Sequence, residues 1–206
     1  MTIESHPLEP FLPQDATILF LGSFPPPRAR WSMDFFYPNF NNDFWRVMGL
    51  VHFGDAQHFV MPGVKRFNYH GVVAFCSQAG LAFFDTASKV RRLKDNASDA
   101  FLEVLEPTDV GALLARLPRC YTIVTTGGKA SEQLAALLGR ALLTPDASPL
   151  QPPVILSEAK DLPAPGTYVD FNAWGRDLRW WRMPSTSRAY PLPLASKAAA
   201  YSLLWK

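Results

Sequence analysis

Apolar positions along the chain fall into short blocks separated by turn-forming residues, and the spacing inside each block predicts its conformation. Four blocks read as buried strands: Thr17–Gly22 (TILFLG), Gly71–Cys76 (GVVAFC), Tyr121–Thr126 (YTIVTT) and Leu178–Met183 (LRWWRM). The first three are too short, and too rich in β-branched or aromatic residues, for helices. The fourth is interrupted by Arg179 and Arg182. Asn42–Gly49, Asp109–Leu117, Lys129–Leu138 and Ala195–Leu204 read as helices, and in the third Leu134, Leu137 and Leu138 share one face. Strands separated by helix-length segments imply parallel pairing with right-handed crossovers. The expected fold is an α/β, three-layer α/β/α sandwich with a central four-stranded parallel sheet, one domain over residues 1–206. Ligands of such sheets bind beyond the C-terminal strand ends, so the segments that follow the strands carry the candidate chemistry.

Composition narrows the classes. The chain has 206 residues, 48% hydrophobic and 18% charged, which supports a core and excludes a disordered or collagen-like chain. No apolar run reaches the roughly twenty residues of a membrane span. The N-terminal MTIESHPLEP carries acids and prolines where a signal peptide carries a basic patch and an apolar stretch, so a cytoplasmic location is expected. Cys76 and Cys120 are too few for an iron–sulfur cluster or an all-cysteine zinc site and read as reduced packing residues. The histidines His6, His52, His58 and His70 are scattered, with neither metal-ligand spacing nor a serine in a nucleophile elbow. The formal charge of +2 hides an asymmetry: residues 171–206 carry +5 and the first 170 carry −3. A basic C-terminal end hints at a phosphate partner.

The segments after the strands are distinctive. Gly22-Ser-Phe-Pro-Pro-Pro27 is followed by Arg28 and Arg30. Thr125-Thr-Gly-Gly-Lys129 lacks the full phosphate-loop pattern and reads first as a tight strand-to-helix turn that needs glycine. Pro184-Ser-Thr-Ser-Arg188 offers three hydroxyls and a guanidinium, which suit either phosphate contacts or a Ser/Thr turn into the last helix. Trp31–Trp45 packs seven aromatics and three asparagines into one stretch. Rings that stack on a base and amides that read its edge are what a nucleobase pocket needs. Phe44 and Trp45 read as core, with Asn41 or Asn42 as a helix cap, whereas Tyr37 and the asparagines are pocket candidates. Asp85, in an apolar setting near a sheet end, reads as a helix cap in preference to a catalytic acid. Lys89, Arg91, Arg92 and Lys94 read as a solvated loop, and the Pro-rich stretch 140–166 as a surface excursion.

Taken in order, GSxPP after the first strand, Tyr37 and Asn42 ahead of Phe44-Trp45, Gly80-Leu-Ala-Phe-Phe-Asp85, Gly128-Lys-Ala130 and Pro184-Ser-Thr-Ser187 resemble the uracil-DNA glycosylase superfamily. The likeness runs over about residues 17–205 and is greatest to the hypoxanthine (deoxyinosine) DNA glycosylase-like branch. The resemblance implies metal-free and cofactor-free hydrolysis of the N-glycosidic bond of a deaminated base, with DNA as partner, no membrane, and a monomer. By position it implies a base pocket of Gly22, Ser23, Phe24, Pro25 and Tyr37, with Tyr37 stacking on the flipped base. It implies Asn42, with Asn39 as substitute, as the catalytic asparagine. It also implies DNA contacts through Ser185, Thr186, Ser187, Arg188 and Tyr190. Phe24 stands where the mismatch-specific branch has an Asn, and Met183 where the uracil-specific branch has a His, so uracil cleavage by those routes is not expected. Tyr190 or Leu192 is the candidate wedge into the base stack. The competing readings are a DNA- or nucleotide-binding protein that has lost the chemistry, and an enzyme of free nucleosides or nucleotides.

Overall fold

The computed structural model describes residues 2–93, 99–141 and 162–206. Eight strands and five α-helices follow one another along them: β1 (Thr2–Ser5), β2 (Ile18–Gly22), α1 (Phe44–Phe53), α2 (Tyr69–Gln78), β3 (Leu81–Asp85), β4 (Ala87–Arg92), β5 (Leu102–Pro107), α3 (Val110–Ala115), β6 (Thr122–Thr126), α4 (Gly128–Ala141), β7 (Thr167–Ala173), β8 (Arg176–Met183) and α5 (Leu194–Tyr201).

The central sheet has the order β3-β2-β6-β8-β7. Its first four strands pair in parallel, and β7 closes the edge antiparallel to β8. This is the expected α/β architecture, a parallel-rich sheet flanked by helices, with one added edge strand. Fully buried β2 and β3 explain their unbroken apolar runs, since a strand covered on both faces has no polar side to alternate with. In β8 burial alternates instead, with Leu178, Trp180 and Met183 inside. The Trp180 indole N–H donates to Thr125 Oγ1 at 2.8 Å, which settles the polar end of the largest inward ring.

One expected strand is a helix. Residues 71–76 lie in α2, because Val72, Phe75 and Cys76 are the buried set and their spacing is that of one helical face. Asn68 starts the helix by accepting the Gly71 N–H at 3.1 Å. Gly80, at φ +65°, ends the connection, and the strand proper follows as Leu81–Asp85. The true strand was therefore the neighbouring apolar run, read from sequence as the segment after a strand.

A second sheet, β1-β4-β5, is antiparallel throughout and has no counterpart in the sequence reading. It overturns the loop assigned to Lys89–Arg92. These residues are in β4, where Lys89 pairs with Glu106 at 2.9 Å, Arg91 with Glu103 at 3.0 Å and Arg92 with Glu4 at 2.8 Å. Cross-strand charge pairs make a strand of a sequence that looks like a solvated run. Lys94 and residues 142–161 of the expected surface excursion lie outside the described residues.

Candidate functional site

Strand register alone brings four dispersed residues to one edge. Gly22 sits beside Asp85 at the ends of β2 and β3, and Thr126 beside Met183 at the ends of β6 and β8. These are C-terminal ends of parallel strands, where α/β sheets bind ligands. Met183 is fully buried there.

Tyr37 reaches this edge from the aromatic stretch. Its backbone is left-handed, φ 51°, a conformation unusual for a bulky residue and one that marks a constrained position. The ring lies flat on Phe44, centroids 3.8 Å apart and planes within 4°, and the hydroxyl hydrogen-bonds Thr126 Oγ1 at 2.8 Å. Burial holds the phenol well above its ordinary pKa, the Thr126 hydrogen bond opposing it in part and the Asp85 charge adding to it. Tyr37 is therefore a neutral, largely buried ring with one face covered and its hydroxyl pinned.

Gly22 is required by contact. A Cβ at this position would lie 2.5 Å from Asp85 Oδ1 and 3.6 Å from the Tyr37 hydroxyl. Its carbonyl accepts from the Thr86 N–H at 2.8 Å and Thr86 Oγ1 at 3.0 Å, which fixes the strand end. Ser23 Oγ donates to Asp99 at 2.8 Å. Burial pushes the Asp99 carboxyl up; the Ser23 hydrogen bond opposes the shift and the charge of Asp85 adds to it. Phe24 turns away to pack with Ala87, Val90 and Leu102 of the small sheet. The buried Pro25 offers its carbonyl to Arg92 at 3.3 Å. Of the expected pocket residues, Gly22, Ser23 and Tyr37 thus converge, whereas Phe24 and Pro25 anchor the loop to the second sheet.

Asp85 is not a helix cap. It ends a strand, its side chain is 10% exposed, and Oδ2 lies 3.0 Å from His6 Nε2. The N-terminal strand delivers His6: β1 pairs with β4, and the His6 N–H continues the pairing to the Ser88 carbonyl at 2.8 Å. The imidazole sits among Phe24, Phe36 and Phe84, and its Nδ1 meets the Leu8 carbonyl at 2.8 Å. Nothing in the sequence brings His6 to Asp85, because the contact spans 79 positions and rests on strand pairing.

The two candidate asparagines are occupied in part. Asn42 Oδ1 accepts the Phe44 N–H at 2.8 Å, so its side chain caps α1 from outside, and its carbonyl accepts from Arg46 at 3.3 Å. Asn39 Oδ1 accepts the Asn41 N–H at 2.9 Å. In each case the amide N–H groups and one carbonyl lone pair remain for a ligand.

The Pro184–Arg188 loop is built around an acid that the sequence reading passed over. Asp43, just before α1, accepts from Lys197 Nζ at 2.9 Å and from Arg188 Nε at 3.2 Å, and its N–H donates to the Thr186 carbonyl at 2.9 Å. Lys197 also donates to the Ser187 carbonyl at 2.9 Å. Ser185 Oγ accepts the Ser187 N–H and Ser187 Oγ the Ala189 N–H, each at 3.2 Å, so the hydroxyls form successive Ser/Thr turns. Thr186 is buried, and Tyr190 and Leu192 are half-buried on the turn that leads to α5. Gly127, at φ +92°, makes the strand-to-helix turn beneath, its missing Cβ 3.2 Å from the Ser185 Cβ.

Most basic side chains of the C-terminal end already have partners within the fold. Arg176 donates to the carbonyls of Leu114, Leu117, Pro118 and Cys120, Arg179 pairs with Asp170, and Arg182 donates to the Pro163 carbonyl. The +5 segment is therefore largely structural charge, and Arg188 itself is tied to Asp43. Cys76 and Cys120 are free and buried, as expected, and burial pushes the Cys120 thiol up to about 11. Among the described residues no cluster of ligands could hold a metal, and no helix is long and apolar enough to cross a membrane.

The solution NMR structure of a proposed uracil DNA glycosylase from Methanosarcina acetivorans aligns over 100% of both chains, with a TM-score of 0.60 at 18% identity. The two proteins share this α/β fold. No protein-family model and no curated protein matches the chain.

Proposed function

We propose that the protein is a base-excising DNA glycosylase that hydrolyses the N-glycosidic bond of a flipped, deaminated base, hypoxanthine or uracil. The observation that carries the reading is the convergence of Gly22, Tyr37, Thr126 and, across Gly127, Ser185 at one end of the parallel sheet. The fold shared with the Methanosarcina protein supports it.

An extruded base would stack on the Tyr37 face opposite Phe44, and the neutral hydroxyl held by Thr126 keeps that ring in place. The cost of extrusion, a few kcal/mol, would be offset by this stacking and by phosphate contacts of the Ser185–Ser187 turn. Those contacts would come from hydroxyls and backbone N–H groups more than from guanidinium, since Arg188 is already paired. Asn42 and Asn39 would act through their amide N–H groups, as donors to the base edge or to water. Tyr190 or Leu192 would fill the vacated stack. The proposed partner is duplex DNA, engaged by a monomer folded as one domain.

Single-turnover assays on duplexes that carry uracil, hypoxanthine or a mismatch test the reading, with Asn42→Ala as control. Release of free base from one of them is the expected result, and release from none overturns it.

A second reading is favoured by the backbone-capping contacts of Asn42 and Asn39 and by Phe24 turned to the small sheet. It is a DNA-binding protein of the same fold without the chemistry. That protein would bind duplex with steep salt dependence and release no base, whereas an enzyme of free nucleosides would show no such binding.

A further inference from the structure

We propose that Asp85, oriented by His6, takes the proton from the hydrolytic water. The inference rests on the base-excising reading above and names the group that the asparagines do not supply. A neutral amide cannot serve as a general base, so a water-activating group must be sought elsewhere at the sheet edge.

Among the described residues, three carboxylates lie near it. Both oxygens of Asp43 are taken, one by Lys197 and one by Arg188. Asp99 accepts from Ser23, and burial favours its neutral form. Asp85 is different. Its Oδ2 meets His6 Nε2 at 3.0 Å, its side chain is nine-tenths buried, and Oδ1 has no hydrogen-bond partner among the described residues. That open oxygen lies 2.5 Å from where a Gly22 side chain would begin, and the Tyr37 hydroxyl lies 3.6 Å from the same point. It therefore borders the ring proposed to hold the base.

His6 is a positioning residue. With its proton on Nε2, the ring donates to Oδ2, and Nδ1 accepts the Leu8 N–H at 3.2 Å, which fixes the far side of the ring. A base held by an orienting partner is the arrangement that general-base catalysis requires. In the reaction the water oxygen bonds to C1′ as the C1′–N bond breaks, and the bonding pair leaves on the base. The water proton passes to Asp85 Oδ1. The departing base takes a proton from solvent, and Asp85 later returns its own to solvent. The products are the free base and a deoxyribose with a hydroxyl at C1′.

The full-length protein is assayed under single turnover on the duplex that wild type cleaves, and affinity is read on a duplex with a tetrahydrofuran abasic analogue. Asp85→Asn keeps the shape and the His6 contact. It is expected to lower the chemical rate about 10²–10⁴-fold with affinity and thermal midpoint little changed. His6→Gln is expected to lower the rate less, again without loss of affinity, and Asp85→Glu to restore part of it. A rate for Asp85→Asn within about threefold of wild type overturns the proposal while base excision stands, threefold being under 1 kcal/mol of barrier. Equal losses of rate, affinity and midpoint also overturn it, since they mark a purely structural role. If wild type itself releases no base, the underlying reading fails and this inference with it.

Discussion

Lys197 Nζ lies 2.9 Å from Asp43 Oδ2, an ion pair that joins the last helix to the start of the first. The lysine is 1% exposed and the aspartate 10%, and the same ammonium holds the Ser187 carbonyl. One buried charge thereby fixes both the α1 entrance and the loop proposed to meet DNA.

Removing one partner of such a pair strands the other. Lys197→Met should lower unfolding free energy by about 3 kcal/mol, the lower end for broken buried pairs because Arg188 still faces Asp43. Asp43→Asn combined with Lys197→Met should recover part of that loss. Urea denaturation of the single and double variants checks both.

Trp180 gives a second, independent test. Its indole N–H donates to Thr125 Oγ1, which also meets Ser131 Oγ at 2.9 Å. Thr125→Val leaves the indole donor buried and unpaired, at a cost of about 1–3 kcal/mol. Thr125→Ser should cost less than Thr125→Val, because it keeps the hydroxyl.

Gly22→Ala should disturb the site at the level of single atoms. Gly22 has no left-handed backbone, so any cost comes from the 2.5 Å clash with Asp85 Oδ1. The carboxylate must shift, and the expected result is a stability loss of about 1–3 kcal/mol, as in other overpacked sites. The proposed excision rate should fall with it. Thermal denaturation and single-turnover assays read the two effects separately.

Tyr37 and Tyr201 set an alkaline limit. Burial raises the pKa of both phenols above the ordinary value of about 10. Below that value both are neutral folded and unfolded, so the contribution to stability is level. Above it the unfolded chain releases protons that the folded chain keeps, and stability falls as pH rises. Urea midpoints should therefore drop steadily above pH of about 10, with part of the tyrosinate absorbance appearing only on unfolding.

Salt dependence separates structural from ligand-facing arginines. Arg179 is held by Asp170, whereas Arg30 is exposed beside the loop that follows β2. If that loop meets DNA, Arg30→Ala should reduce the slope of log affinity against log salt by about 0.9, the value for one phosphate contact. Arg179→Ala should leave the slope unchanged. Fluorescence anisotropy at several salt concentrations decides it.

Features that depend on neighbours along the chain are legible in the amino-acid order. Runs such as ILFLG and TIVTT are strands because they are short, apolar and bounded by turns, and the alternating helices made the sheet parallel. The GSFPP and PSTS segments stood out because glycine, proline and hydroxyl residues follow strand ends where backbone must turn sharply. GVVAFC resembles a strand because a short apolar run carries no length signal, and only burial of Val72, Phe75 and Cys76 on one face shows the helix. Which charges are already paired within the fold is set by tertiary structure. Arg176, Arg179 and Lys197 look like a phosphate-binding tail in sequence, yet their partners lie in other elements. The same holds for His6 and Asp85, 79 positions apart, whose meeting depends on the pairing of β1 with β4. Charge pairing across a fold acts through space over a few ångströms, and one-dimensional order does not record which residues come that close.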